Sequence, residues 1–290
     1  MNPPGVAPTT PCLALDIGGT KAEVAVVTRD GTVLRRSRLD VKRAGERLFE
    51  GIVELLDLER GSEKVSSLGV ACAGPMTLGG ESVSPLNIPV WRDFALRDRL
   101  VEATGLRVDI EGDVRALALA EGAFGAARDV NSYASMVVST GVGGAIVMDG
   151  RLLDGDSGNA GHLGHVNVVP GGRLCSCGSL GCLEAEASGW AIEALTGQPA
   201  QFADEATRHR TAALVGRAVG TLASVLDFNL CFVAGSVALG FGDDLFATST
   251  KAARELATIG FLRGVEIRRS VLGPDGPILG AACVAWRGDS

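Results

Sequence analysis

The chain has 290 residues, 46% of them hydrophobic, with 40 glycines and a net charge of −7. Such apolar content excludes a disordered chain, and the acidic balance argues against an unaided nucleic-acid surface. No apolar run is long enough to span a bilayer, and the opening MNPPGVAPTT, without a basic region leading into an apolar one, reads as a disordered lead rather than a signal peptide.

In chain order, CLALDIGGTKAEVAVV (12–27) reads as strand, Gly-Gly turn, strand, with Leu13, Leu15 and Ile17 alternating with small or polar residues. A third strand is expected over 31–39 and a helix over 45–59, where Leu48, Ile52, Leu55 and Leu56 keep helical spacing. VSSLGVACAGP (65–75) reads as a buried strand ending in a Gly-Pro turn, and 94–105 as a short amphipathic helix closed by Gly105. LRVDIEGD reads as a strand leading into a helix over 114–125. The stretch 132–153 repeats the opening theme of strand, glycine turn, strand. Helices are expected over 184–195 and 205–228, a strand with a glycine turn over 230–240, and a helix over 241–258. The strand VEIRRSVL and an Ala-rich helix over 277–286 close the chain. Strands alternate with helices and a hairpin opens each half, which predicts an α/β protein with mixed sheets in two related halves.

The glycine turns at 16–21 and 140–144 are followed by Val-rich strands, not by helices. That excludes the dinucleotide and Walker motifs, in which a helix follows the turn. A hairpin tip rich in Gly, Thr and Ser can still present backbone N–H groups to phosphate oxygens. Either turn alone reads as an ordinary β-turn; the pair, one in each half, favours two phosphate cradles.

There are seven cysteines. Cys12, Cys72, Cys231 and Cys283 stand alone in apolar segments and read as buried free thiols, the pattern of a reducing, cytoplasmic protein. The other three lie in GHLGHVNVVPGGRLCSCGSLGCLE (161–184). His165 precedes Cys175 by ten residues, Cys177 follows by two and Cys182 by five more. One imidazole and three thiolates make a closed tetrahedral set suited to structural zinc. A redox role is disfavoured, because the spacing is C-x-C rather than C-x-x-C.

LDIGGTK (15–21), GDVRALALAE (112–121), STGVGG (139–144) and the loop ending CSCGSLGCLE (175–184) follow one another in the order found in the ROK (repressor, open reading frame, kinase) sugar kinases. From about residue 12 to 286 the chain resembles that family. The resemblance implies the actin-like ATPase fold, two α/β domains around a cleft. They would comprise a small domain over 12–113 and a large one over 114–290, with the final helix (277–286) packing back on the first.

It further implies an ATP-dependent kinase acting on the 6-hydroxyl of a hexose, with Mg2+ and zinc as ions, and a homodimer with no nucleic-acid or membrane partner. Asp113 would be the base for the hydroxyl proton, although locally it also reads as a helix N-cap. Asp16 would position Mg2+ through water. Gly18, Gly19, Thr20 and Lys21, with Thr140, Gly141 and Gly143, would touch the phosphates, and Gly235 and Ser236 the adenosine. For each glycine, simple turn chemistry is the plainer reading. Gly74, Asn87, Gly112, His162, His165 and Glu184 would face the sugar, the zinc holding in shape the 161–184 loop that carries the last three. Glu184 also suits any helix N-terminus.

Two positions depart from the family pattern. Gly112 stands where many members have asparagine, and His162 where many have glutamate. By the resemblance both contact the carbon 2 to carbon 4 edge of the sugar, so the changes disfavour plain glucose. A histidine there is similar to bacterial N-acetylmannosamine kinases; lost bulk at 112 suits a 3-amino sugar, as in kanosamine kinases. A glucokinase of the same family and a catalytically silent sugar sensor are the alternatives. A repressor is disfavoured, because only about a dozen residues precede the first strand, too few for a helix-turn-helix domain.

Overall fold

The computed structural model describes residues 10–287; nearly all of the expected N-terminal lead lies outside them. The chain forms two compact units. One runs through Phe124 and takes in 155–158 and the segment from Leu272 onward; the other comprises 125–154 and 159–271.

The first unit contains β1 (Cys12–Ile17), β2 (Lys21–Val27), β3 (Val33–Asp40), α1 (Val41–Ala44), α2 (Leu48–Arg60), β4 (Ser67–Cys72), α3 (Leu96–Thr104), β5 (Arg107–Gly112) and α4 (Asp113–Ala123). Its sheet has the order β3-β2-β1-β4-β5. β1 pairs antiparallel with β2 and parallel with β4, which pairs parallel with β5. All six residues of β1 are buried, as expected of a strand covered on both faces. β3 is the edge, and its Arg35, Arg36 and Arg38 keep that edge charged.

The second unit contains β6 (Tyr133–Val138), β7 (Val142–Met148), β8 (Arg151–Leu152), α5 (Leu183–Ala187), α6 (Gly189–Thr196), α7 (Glu205–Leu226), β9 (Leu230–Ala234), α8 (Ser236–Gly240), α9 (Asp243–Leu256) and β10 (Glu266–Arg269). Its order, β10-β9-β6-β7-β8, repeats the first sheet. The central strand β6 carries the antiparallel hairpin on one side and the parallel strand β9 on the other. The last helix, α10 (Gly276–Arg287), belongs to the first unit. It packs on β4 and α4 through small residues: a Cβ on Gly69 would lie 1.9 Å from the Ala281 carbonyl, and one on Gly280 2.7 Å from the Ala116 carbonyl carbon. Because α4 buries Ala116 and Ala120 against α10, the compact unit extends to Phe124, past the 12–113 limit expected above.

Two expected elements differ. The helix foreseen over 184–195 is two helices, because Ser188 ends α5 in an extended conformation and its side chain caps α6 by accepting the Ala191 N–H. The strand foreseen over 230–240 stops at Ala234, and α8 follows Gly235. Gly235 has φ +101°, and a Cβ there would lie 2.3 Å from the Val138 carbonyl oxygen, so the chain turns where only glycine fits.

Candidate active site

In the first unit, Asp16 sits near the end of β1, opposite Glu23 of β2 and Ala71 of β4. It is buried, and burial pushes its carboxyl up to about 7; the nearby Asp113 and Glu23 charges add to this, and Lys21 opposes it. Gly18, Gly19 and Thr20 form the turn, and Lys21 opens β2. Gly19 allows a close approach, since a Cβ on it would lie 2.6 Å from Asn87 Cβ. Gly74 lies just beyond β4.

Asp113 is the first residue of α4, and Gly112 holds the N-cap position. The cap reading is therefore displaced by one residue: Asp113 Oδ1 accepts the adjacent Val114 N–H, at 2.8 Å, rather than capping from the position before the helix. Asp113 is exposed to solvent, yet the protein packed around its carboxyl pushes it above the usual range, against the Val114 N–H and its own amide. Burial, with the Asp113 and Asp16 charges, likewise pushes the Cys72 thiol up.

Sequence reasoning passed over Glu23. It is 2% exposed, accepts from Arg38 Nε at 2.8 Å and from Lys21 Nζ at 3.2 Å, and thereby ties Lys21 beside Asp16. Burial works to raise its carboxyl, but Arg38 and Lys21 outweigh burial and hold it below the ordinary range. The K-x-E spacing on one face of a strand was the available signal.

In the second unit, Thr140 and Gly141 lie in the β6–β7 turn and Gly143 in β7. Ser236 Oγ lies 2.9 Å from Ser139 Oγ, which brings the Gly235–Ser236 turn to this hairpin. Glu184, in the first turn of α5, accepts the Val142 N–H at 3.0 Å, and a Cβ on Gly141 would lie 2.9 Å from its Oε2. A cavity of about 600 Å³ lies between the N-terminal turns of α7 and α9, lined by Glu205, Arg208, His209, Phe241 and Asp244. Arg208 stacks 5.2 Å from the Phe241 ring centroid. No sequence pattern pointed to this cavity, because its walls come from helices far apart in the chain. A groove of about 620 Å³ along α9 and β10 touches none of the expected site residues.

The ligand atoms of His165, Cys175, Cys177 and Cys182 lie within 4.8 Å of one another. Cys177 Sγ is 3.7 Å from Cys182 Sγ, and Cys175 Sγ is 3.6 Å from His165 Nδ1. Tetrahedral zinc with Zn–S bonds of about 2.3 Å has ligand–ligand edges of about 3.7 Å. The four residues therefore fit a zinc ion. His162 stacks on His165 with ring centroids 5.9 Å apart.

Two sheets of one shared order, each opened by a glycine-tipped hairpin, define an α/β protein of the actin-like ATPase fold class. The ROK family model matches residues 12–287, and the chain belongs to that family. It is 34% identical to an N-acetylmannosamine kinase of Pasteurella multocida over 80% of this chain and 83% of that protein. It also resembles the ROK hexokinase of Thermus thermophilus, with TM-score 0.84 and 32% identity over 97% of this chain and 99% of that one. A ROK glucokinase of Streptomyces griseus, solved with glucose and AMPPNP, superposes with TM-score 0.80 and 27% identity over 96% of this chain and 100% of that one.

Proposed function

We propose that this protein is an ATP-dependent sugar kinase that transfers the γ-phosphoryl group to the 6-hydroxyl of a hexose, with an amino sugar altered at carbon 2 or 3 as substrate. The observation that carries the reading is the β5–α4 corner. It presents the Asp113 carboxyl at the first residue of α4, directly after the sheet and open to solvent, where a side-chain base can meet an incoming hydroxyl. Relatives named N-acetylmannosamine kinase, hexokinase and glucokinase support a sugar acceptor, and the AMPPNP complex of one supports ATP as donor.

In this reading Asp113 takes the proton of the 6-hydroxyl as its oxygen bonds to the γ-phosphorus and the bond to the ADP bridging oxygen breaks. Backbone N–H groups of the 18–21 and 140–143 turns cradle the phosphates. The Phe241 cavity, one short helix beyond Gly235 and Ser236, takes the adenosine. Mg2+, when bound, neutralises charge on the phosphates, and Asp16 would hold its water shell. Zinc on His165, Cys175, Cys177 and Cys182 would shape the loop bearing His162 and Glu184, which bind the sugar with Gly74, Asn87 and Gly112. A homodimer belongs to the same reading.

Glucose as substrate is the second reading, favoured by the glucose-bound relative. ADP release from ATP and Mg2+ with glucose, N-acetylmannosamine, N-acetylglucosamine, glucosamine and kanosamine decides between them. Preference for one amino sugar supports the first reading, and preference for glucose the second. Silence on every sugar overturns both.

A further inference from the structure

Beneath the β5–α4 corner lies a charged cluster that the reading above leaves without a task. Glu111, the last side chain of β5, is nine-tenths buried, and so is Arg115 one turn into α4. Glu111 Oε1 accepts the Gly112 N–H at 2.9 Å and Arg115 Nε at 2.7 Å. Its Oε2 accepts from Arg115 Nη2 at 3.2 Å and from Arg287 Nη1, on α10, at 2.6 Å. The Arg115–Glu111 pair is thus a two-pronged fork, the arrangement that fixes geometry as well as charge.

Gly112 has φ −58° and ψ 141°, which any residue adopts, so backbone conformation does not call for glycine there. Nor does space: a Cβ on Gly112 would lie 3.4 Å from Arg115 Cδ and 3.8 Å from its Cβ and Cγ, ordinary van der Waals contact that places the two residues side by side. The aliphatic stem of Arg115 therefore roofs the glycine, while Glu111 holds the same residue's N–H. The residue preceding Asp113 is gripped from two sides by one ion pair.

A buried ion pair is a weak source of stability, because desolvation offsets most of the attraction; an apolar pair of the same volume often serves as well. Its place directly behind Asp113 calls for another account. We propose that Arg115 is a positioning residue for phosphoryl transfer: clamped by Glu111 and roofing Gly112, it sets the angle at which Asp113 leaves β5. This rests on the kinase reading, with Asp113 as base. A misplacement of about 1 Å in a reacting group costs on the order of a hundredfold in rate.

The test is steady-state kinetics on the purified full chain, on its best sugar, with Tm and circular dichroism recorded for each variant. Arg115→Gln should lower kcat on the order of 10- to 100-fold, with KM for ATP within about twofold and an altered acid limb of the pH–rate profile. Arg115→Lys, keeping the charge but not the fork, should restore part of kcat. Arg287→Ala, which removes the solvent-side partner, should show a smaller loss of the same kind and keeps the test open if Arg115→Gln does not fold. Gly112→Asn and Arg115→Ala should act non-additively on kcat, because the Arg115 stem packs directly against residue 112.

A kcat within twofold of wild type in the folded Arg115 variants overturns the proposal. So does a loss confined to Tm, or additive effects of the 112 and 115 changes. Turnover by wild type with unaffected variants overturns only this inference, whereas a wild type silent on every sugar removes the kinase reading and this inference with it.

Discussion

Glu184 reaches from the first turn of α5 to accept the Val142 N–H of the β6–β7 hairpin at 3.0 Å. One carboxylate thus joins the end of the cysteine-rich loop to the turn proposed to cradle phosphate. Glu184→Gln keeps an oxygen acceptor for Val142, so its Tm should stay within about 2 °C of wild type while KM for the sugar rises about tenfold or more. Glu184→Ala should show the same KM effect and a further loss of about 1–2 kcal/mol of stability, measured by denaturant titration. An unchanged KM in both would remove Glu184 from the sugar site.

Asp113→Asn keeps the shape of the side chain and removes the base. It should lower kcat by about 10²–10⁴, with sugar and ATP still bound by calorimetry and Tm little changed. Retention of a tenth or more of wild-type kcat would place the proton elsewhere.

The acidity of Asp16 predicts a stability profile. Its folded-state value of about 7 lies above the ordinary 3.8, so the folded chain holds this proton more tightly than the unfolded one. Stability from this group is present at low pH and is lost as pH rises from about 4 to 7. Asp16→Asn escapes that loss, and should be more stable than wild type at pH 8 by on the order of 2–4 kcal/mol, converging with it near pH 4. The same variant should lose most Mg2+-dependent turnover, trading function for stability. An Asp16→Asn protein less stable than wild type at pH 8 would show that other contacts of Asp16 outweigh its burial.

Metal analysis of protein purified without chelator should find about one zinc per chain. Cys177→Ser should lose the metal and lower Tm, and chelation of wild type should do the same. Sugar KM should then rise more than ATP KM, since the metal would support the His162 side of the site. Full metal content in Cys177→Ser would assign a different ligand set.

Gly19→Ala places a methyl 2.6 Å from Asn87 Cβ and should cost about 1–3 kcal/mol by overpacking. Asn87→Gly in the same chain should recover most of that stability, because it removes the atoms that clash. No recovery would mean the strain lies in the turn itself.

Much of the fold was legible before any coordinates. The buried apolar runs of β1, β4, β6 and β9 and the glycine turns between hairpin strands are local patterns, and each places an element without help from the rest of the chain. The break at Ser188 was less legible, since a serine in a helical pattern reads as helix until its cap to Ala191 is seen. The helix after Gly235 was hidden for a similar reason: VAGSVALG suits a strand by composition, and only the closeness of Val138 forces the turn. The α7–α9 cavity left no trace in the sequence, because Arg208 and Phe241 meet through packing alone.

The sequence by itself determined which chemical groups the chain carries and in what order, and hence the family. It placed a histidine and three cysteines at the spacing of a tetrahedral site, and an aspartate where a strand passes into a helix. Spacing suffices for these because the residues concerned are near neighbours along the chain. Only the tertiary structure decided that Asp16 holds a proton up to about neutral pH, that Asn87 lies on Gly19, that Glu184 bonds to Val142, and that Arg115 covers Gly112 while Arg287 reaches Glu111. Apart from the short reach of Arg115 to Gly112, these relationships join segments distant in sequence. All depend on desolvation and close packing, which arise when the chain excludes water and which no local pattern encodes.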